Sequence, residues 1–246
     1  MDFDSDGVRL HYELHGQADG KPIVLVHGYA SNYELNWVGT RWQETLTAAG
    51  FRVIGLDCRG HGASDKPHDA AAYGPEVMAA DVRRLLDHLQ IRIADYLGFS
   101  MGARIGLQAV LDFPDRWRRA VLGGLGSRGA MDQGASIARA MRGGPPDNPV
   151  AESFYKFAST RTKNDLEALA ACIEAPLPTL DLSRLGNIET PILIVVGEND
   201  ELVFGAPDLV EQIPTARLVT VPGRDHLGTV LAREFKESAL TFLEKP

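Results

Sequence analysis

The chain has 246 residues, of which 44% are hydrophobic and 24% are charged. These proportions are those of an ordinary globular protein and exclude a disordered chain, a collagen-like repeat and a coiled coil. The 33 acidic and 25 basic residues give a formal net charge of -8. Because an acidic surface repels phosphate backbones, we expect no nucleic-acid partner.

The sequence also argues against disulfides, a membrane span and a signal peptide. Cys58 and Cys172 have no neighbouring cysteine, so neither a disulfide framework nor a CxxC zinc site is predicted. The longest apolar runs, 23–26 and 192–196, are far too short to cross a bilayer. Residues 1–6 are acidic and lack the apolar stretch of a signal peptide. We therefore expect a soluble, cytoplasmic protein without a membrane partner.

The predicted elements begin with a hairpin. Residues 8–14 follow Asp6-Gly7 and alternate with period two, which is typical of a hairpin arm with one solvated face. Further along, continuous β-branched runs indicate strands covered on both faces, as in a parallel sheet. Buried strands are predicted at 23–26, 53–56, 94–98, 120–123, 192–196 and 217–221.

Amphipathic segments separate these strands. The clearest is 75–89, with proline in its first turn and one apolar stripe. Further helices are predicted near 37–49, 100–112, 207–213 and 229–243. Strands that alternate with helices through short connections predict an α/β fold.

Residues 127–185 interrupt this alternation. The segment has no run typical of a buried strand, but it predicts helices at 150–158 and 165–173. Asn164 is expected to cap the second helix, with Glu167 three residues later. The predicted organisation is therefore a core of residues 1–126 and 186–246 that carries a small helical lid at 127–185.

The pentapeptide Gly98-Phe99-Ser100-Met101-Gly102 follows a predicted strand and precedes a predicted helix. A serine on such a sharp turn holds its hydroxyl clear of the sheet edge, above a helix N-terminus that favours negative charge. Gly98 and Gly102 would let neighbouring chain pass close to the strained residue. The alternative is an ordinary glycine-rich turn in which serine caps a helix.

A serine nucleophile needs a general base. Among the seven histidines, only His226 and His27 are predicted to follow a buried strand directly. His226 is the predicted base. We expect His27 to brace its own turn and to transfer no proton. The other histidines lie in the predicted hairpin, in loops or on a solvated helix face: His11, His15, His61, His68 and His88.

The base needs an orienting acid, which should follow a strand between the serine and the histidine. Residues 197–201 offer Glu198, Asp200 and Glu201, and side-chain chemistry alone does not choose among them. The loop at 124–128 carries no carboxylate. Asp225 adjoins His226, but neighbouring residues in a turn rarely face each other.

Acyl transfer also needs hydrogen-bond donors for the oxyanion. The Met101 N–H, at the predicted start of a helix, is one candidate. The second is the Tyr29 N–H, because Val26-His27-Gly28 ends a buried strand and Gly28 permits a tight turn.

These features together resemble the α/β-hydrolase superfamily over nearly the whole chain. The resemblance rests on the pentapeptide at 98–102, on His27-Gly28, on the loop at 57–64 and on the chain order Ser100, Asp200, His226. It implies an α/β fold with an eight-stranded, mostly parallel sheet, helices on both faces, and a lid between the sixth and seventh strands.

The resemblance further implies a role for each site residue. It makes Ser100 the nucleophile, Asp200 the acid and His226 the base, and it draws the oxyanion donors from Tyr29 and Met101. Serine rather than aspartate at position 100, in the sharp turn at 98–102, excludes the haloalkane dehalogenase and epoxide hydrolase branches. Tyr29-Ala30 after His27-Gly28 excludes the HGGG-type esterase turn. What remains is similar to small bacterial serine esterases.

The predicted function is hydrolysis of carboxylic esters of small to medium acyl chain, with no cofactor and no metal. The same residues suit a carbon–carbon bond hydrolase, a lactonase, a thioesterase or a perhydrolase. A ligand receptor that retains the fold without turnover is a further alternative. The predicted partner is a small-molecule ester, and the oligomeric state is left open.

Two further patterns suggest other functions. Residues 124–129 match GxGxxG after a strand, but a dinucleotide site needs an acid at the end of a second strand about 20 residues later, where Pro145-Pro146-Asp147 stands. His27, Asp57 and His61 could be read as metal ligands, yet they lack the HxH or HExxH spacing. We interpret them as residues that brace loops.

Overall fold

The computed structural model describes residues 1–129, 133–161, 163–176 and 182–244. Its strands are β1 (Asp2–Ser5), β2 (Val8–His15), β3 (Lys21–Val26), β4 (Phe51–Leu56), β5 (Ala94–Phe99), β6 (Trp117–Gly123), β7 (Arg128–Gly129), β8 (Ile192–Gly197), β9 (Val203–Phe204) and β10 (Ala216–Val221). Eight strands form one sheet in the order β1-β2-β4-β3-β5-β6-β8-β10. β2 pairs antiparallel with β1 and β4, and the other neighbours pair in parallel. The predicted eight-stranded, mostly parallel sheet is confirmed.

The sheet separates two hydrophobic cores. In β3, Val24 and Val26 face one core, while Ile23 and Leu25 face the other. All residues of β5 and β8 are buried. Because both faces of these strands are covered, β8 is continuously apolar and does not alternate. β5 is apolar except at Asp95, which is buried and paired with Arg118.

Helices cover both faces of the sheet. They are α1 (Trp42–Ala48), α2 (Pro75–His88), α3 (Met101–Asp112), α4 (Gly134–Met141), α5 (Pro149–Ser159), α6 (Leu166–Glu174), α7 (Leu182–Leu185), α8 (Ala206–Glu211), α9 (His226–Leu231) and α10 (Arg233–Leu243). α2 and α3 pack into one core with much of the insert at 127–185, and α1 and α10 pack into the other. Within the described residues, no helix combines the length and the apolar character needed to cross a membrane.

Two predicted helices differ from the structure. The helix expected at 37–49 begins only at Trp42, because a π-helical turn at Glu34–Val38 precedes it. The helix expected at 229–243 is two helices, since Ala232 is extended with a ψ of 137°. The first of the two already begins at His226, where Asp225 accepts a hydrogen bond from the Gly228 N–H and caps it.

The insert at 127–185 contains α4 to α7, between the sixth and seventh strands of the large sheet. The sequence did not predict α4. The prediction that Asn164 caps α6 is wrong, because Asp165 is the cap and accepts from the Glu167 and Ala168 N–H groups. Asn164 instead donates to the Ala30 and Ala158 carbonyls. The division into core and lid at these boundaries stays a prediction.

Candidate active site

Ser100 occupies the sharp turn between β5 and α3. Its backbone is left-handed, with φ 56° and ψ -113°, a conformation that costs a non-glycine residue about 1–3 kcal/mol. The flanking glycines allow this turn. A Cβ on Gly98 would lie 2.3 Å from the Gly102 carbonyl oxygen, and one on Gly102 would lie 2.0 Å from that of Val26. Any side chain at these two positions would therefore push α3 away from the sheet.

His226 and Asp200 meet at the carboxyl ends of two paired strands. β8 and β10 run in parallel, so the loops that follow them leave the same edge of the sheet. His226 Nδ1 lies 2.8 Å from Asp200 Oδ2, and the two side chains are 9% and 1% exposed. A carboxylate only accepts, so Nδ1 carries the proton and Nε2 is left as an acceptor. The other carboxylate oxygen, Asp200 Oδ1, accepts from the Leu202 N–H at 3.0 Å.

The other carboxylates in and near this loop are Glu198, Glu201 and Asp225. Glu198 is exposed and accepts from the Gly223 N–H at 2.7 Å. Glu201 is exposed to solvent. Asp225 caps α9 through the Gly228 N–H at 2.7 Å. Of the three acids in 197–201 that the sequence left open, Asp200 is therefore the one that bonds to the imidazole.

Ser100 and His226 line one cavity of about 510 Å³, a volume that includes its open mouth. We call this space the active-site cavity. Tyr29 and Met101 also line it, as do side chains of the insert such as Ile137 and Phe154. The predicted nucleophile, base and oxyanion residues thus face a common space, although they are distant in the sequence.

The walls around the imidazole leave little freedom. The Phe99 ring centroid lies 5.0 Å from that of His226. A Cβ on Gly124 would lie 2.8 Å from His226 Cε1, so this glycine gives the ring its room. The GxGxxG pattern at 124–129 therefore has a structural explanation. It leads into the short strand β7, which pairs with β9, rather than into a helix.

His27 is fully buried and bonds through both ring nitrogens. Nδ1 lies 2.8 Å from the Gly28 carbonyl oxygen, and Nε2 accepts from the Cys58 N–H at 3.0 Å. These contacts join the turn after β3 to the loop after β4. Burial lowers the pKa of His27, so its imidazole stays neutral in the fold. Through these two hydrogen bonds the ring contacts both loops.

His61 has the same kind of environment. Its Nδ1 lies 2.9 Å from the Arg59 carbonyl oxygen and its Nε2 accepts from the Ala30 N–H at 3.1 Å. If Nε2 were protonated, its N–H would face the Ala30 N–H, and two donors would oppose each other in a fully buried site. Across the part of the chain that the structure describes, no group of three His, Cys, Asp or Glu residues could hold a metal ion.

We expect the free energy of unfolding to decrease as the pH falls below about 6.5, in part because of His61. Burial lowers the pKa of His61 from 6.5 to about 3, whereas the unfolded chain binds this proton near pH 6.5. Between these two values the unfolded state holds the extra proton. Folded stability is therefore present above pH 6.5 and is lost toward pH 3, by about 1.4 kcal/mol per pH unit for this residue.

Urea unfolding at several pH values between about 7.5 and 5 measures this slope. His61→Gln is the comparison, since an amide does not titrate in this range. The variant loses stability at neutral pH with the ring's contacts, so only the slopes are compared. A wild-type slope no steeper than that of the variant would contradict the expectation.

Sequence reasoning missed two residues of the site. Asn36, in the π-helical turn, is buried, and its Oδ1 accepts from the Gly28 N–H at 2.9 Å. Nothing in its local sequence signals this contact. Arg104 lines the active-site cavity from α3. A signal for Arg104 did exist, because it lies four residues after Ser100 and helical residues at this spacing share a face.

Comparisons with known proteins agree with this architecture. The sequence profile of the alpha/beta hydrolase fold family matches residues 21–171. A curated relative, 3-oxoadipate enol-lactonase 2 of Acinetobacter baylyi, is 27% identical over 212 residues, which cover 78% of this chain and 76% of the relative. A solved hydrolase from Pseudomonas aeruginosa PA01 is 28% identical with a TM-score of 0.80, covering 100% of this chain and 98% of that one. The enol-lactonase of Burkholderia xenovorans LB400 shares the fold at 23% identity, with a TM-score of 0.82 over 100% of both chains. The chain therefore belongs to the α/β hydrolase fold family.

Proposed function

We propose that this chain is a serine hydrolase that cleaves carboxylic esters of small to medium acyl chain through an acyl-enzyme. Ser100 Oγ attacks the ester carbonyl while His226 Nε2 takes the hydroxyl proton. Asp200 accepts the Nδ1–H, orients the ring and stabilises the imidazolium that forms. The observation that carries the proposal is the 2.8 Å contact between His226 Nδ1 and Asp200 Oδ2, at the cavity that Ser100 also lines.

The developing oxyanion would be held by the N–H groups of Tyr29 and Met101. Met101 is the first residue of α3, so its N–H is one of the four at a helix start without an intrahelical acceptor. The N–H groups on either side of Tyr29 are bound, that of Gly28 to Asn36 and that of Ala30 to His61. These contacts hold the peptide that carries the Tyr29 N–H. In this proposal His27, Gly28, Gly98 and Gly102 support the two loops.

The rest of the reaction follows from the same groups. When the tetrahedral intermediate collapses, His226 Nε2 donates its proton to the alcohol oxygen, which leaves. Water then attacks the acyl-enzyme while His226 takes a proton from it, and the second collapse releases the acid and restores the Ser100 hydroxyl. Neither a cofactor nor a metal ion enters this route.

A lactonase is the second candidate, because the relative from Acinetobacter baylyi is named an enol-lactonase. Lactone opening uses the same nucleophile, base and oxyanion donors, and differs in that the leaving oxygen stays attached to the acyl group. Carbon–carbon bond hydrolysis, thioester hydrolysis and perhydrolysis use this arrangement too. A ligand receptor with the same fold would bind such compounds without turnover.

Steady-state hydrolysis of p-nitrophenyl acetate and butyrate tests the proposal. We expect many turnovers per chain at a rate proportional to protein concentration. A γ-lactone tested in parallel compares the lactonase with the esterase. Release of a single equivalent of p-nitrophenol, or none, would reject the enzyme in favour of the receptor.

A further inference from the structure

A second space opens beside His226, and we call it the outer groove. It encloses about 410 Å³, including its mouth. Besides His226, its lining residues are Val150, Ser153, Phe154, Phe157, Leu202 and Leu227. The outer groove and the active-site cavity share three residues, namely Phe154, Leu202 and His226. Ser100, Tyr29 and Met101 line only the active-site cavity of these two spaces. The outer groove therefore adjoins the active-site cavity at the imidazole.

The proposed reaction determines which part of the substrate would lie toward the outer groove. The alcohol oxygen must lie within hydrogen-bond reach of His226 Nε2, because the imidazole returns its proton to that oxygen. The carbonyl carbon, by contrast, must lie at Ser100 and its oxygen at the oxyanion donors. The substituent on the alcohol oxygen therefore extends past the imidazole toward the outer groove, which His226 lines and Ser100 does not.

We infer that the outer groove binds the alcohol portion of an open-chain ester, and that this portion is apolar and preferably aromatic. The inference rests on the proposed function and adds a substrate class to it. Five of the lining side chains are aliphatic or aromatic, and Ser153 supplies the one hydroxyl. A charged or strongly polar alcohol would lose its hydration there and find only the Ser153 hydroxyl and the imidazole as polar partners.

Two rings of the groove are held in place before substrate arrives. Phe154 packs edge-on against Tyr29, with ring centroids 5.6 Å apart and planes at 68°. The Arg161 guanidinium carbon stands 3.7 Å from the centre of the Phe157 ring. Aromatic rings prefer edge-on and offset contacts with other rings, so two ordered phenylalanines favour an aromatic guest.

Leu227 supports the same assignment. It follows His226 directly and is 55% exposed, although it lines the groove. Covering its apolar surface would be favourable, at about 25 cal/mol per Å². Leu231, one turn further along α9, is 57% exposed and lies outside the groove, so it provides a matched control.

A small lactone would leave the outer groove empty. In a lactone the alcohol and acyl arms form one ring, which the active-site cavity has to hold near Ser100. The acyl arm of an open-chain ester would lie in that cavity, whose lining includes Leu125, Ile137 and Ile173. Two spaces that share His226 therefore fit a substrate with two separate arms.

Two series of esters test the inference, and acid release measures kcat/KM. The first keeps the acetyl group and changes the alcohol from ethanol to butanol to benzyl alcohol. The second keeps ethanol and lengthens the acyl group to butyrate and hexanoate. We expect benzyl acetate to be preferred over ethyl acetate by about tenfold, the scale of discrimination by a small apolar contact.

Variants assign this preference to the groove. Leu227→Ser and Phe157→Ala should each lower the benzyl-to-ethyl ratio of kcat/KM from about ten toward one, whereas Leu231→Ser should leave the ratio unchanged. An unchanged ratio in the groove variants, a change confined to the acyl series, or a γ-lactone preferred over benzyl acetate would overturn the inference while hydrolysis itself stands. Absence of any Ser100-dependent hydrolysis would instead reject the proposed function, and the inference with it.

Discussion

Ser100→Ala is expected to lower kcat/KM for ester hydrolysis by a factor on the order of 10⁴ or more. Alanine removes the Oγ atom that would form the acyl-enzyme, and water attacking without it gains only from the oxyanion donors and from binding. Alanine retains the Cβ atom. The left-handed backbone at φ 56° therefore keeps the same cost in both proteins, and the folded stability should change little.

Initial rates with p-nitrophenyl acetate measure this loss, and thermal unfolding checks the fold. Ser136→Ala is the control, since the Ser136 hydroxyl, in α4, contacts the exposed Asp147 carboxylate. Residual turnover within tenfold of wild type, at an unchanged melting temperature, would show that Ser100 is not the nucleophile.

Asp200→Asn is expected to lower kcat by a factor on the order of 10³ to 10⁴ without unfolding the chain. The asparagine oxygen can still accept the Leu202 N–H that Asp200 Oδ1 accepts at 3.0 Å. Its NH₂ group then faces His226 Nδ1, which has to become an acceptor. The ring proton then lies on Nε2, which is the nitrogen that would have to accept the Ser100 hydroxyl proton. The imidazole can therefore no longer act as the base.

Glu198→Gln provides the matched control in the same loop. The glutamine oxygen keeps the bond from the Gly223 N–H, and this side chain does not bond to His226. We expect its kcat to stay within about twofold of wild type, as for surface substitutions away from such contacts. If Glu198→Gln caused the large loss and Asp200→Asn did not, the acid would have been assigned to the wrong residue.

Local patterns were enough to predict the strands of the sheet and the sharp turn at 98–102. The run Ile192–Gly197 is continuously apolar because both of its faces are covered, so its sequence records its own burial. Gly98 and Gly102 stand where neighbouring backbone atoms leave no room for a Cβ atom, and this demand falls on residues close to Ser100 in sequence. Patterns of this kind can be recognised in the sequence, because the structural constraint and the residues that satisfy it lie within one short segment.

Local patterns failed where a distant contact decided the outcome. Asn164 had the spacing of a helix cap, yet its amide is occupied by the Ala30 carbonyl, 134 residues away in sequence. The neighbouring Asp165 caps α6 instead. Asn36 carries no local signal at all, because its importance comes from one bond to the Gly28 N–H.

The fold class, the chain order of the loops that carry the chemistry, and the candidates Ser100 and His226 could all be predicted from sequence patterns. Side-chain chemistry left three acids open and the family resemblance named Asp200. The contact between Asp200 and the imidazole is seen only in the tertiary structure, since it depends on how β8 and β10 pack. The outer groove likewise exists only where α5 and α9 come together. Long-range packing decides which side chains from distant segments come into contact. The spacing of residues within one segment carries no information about those contacts.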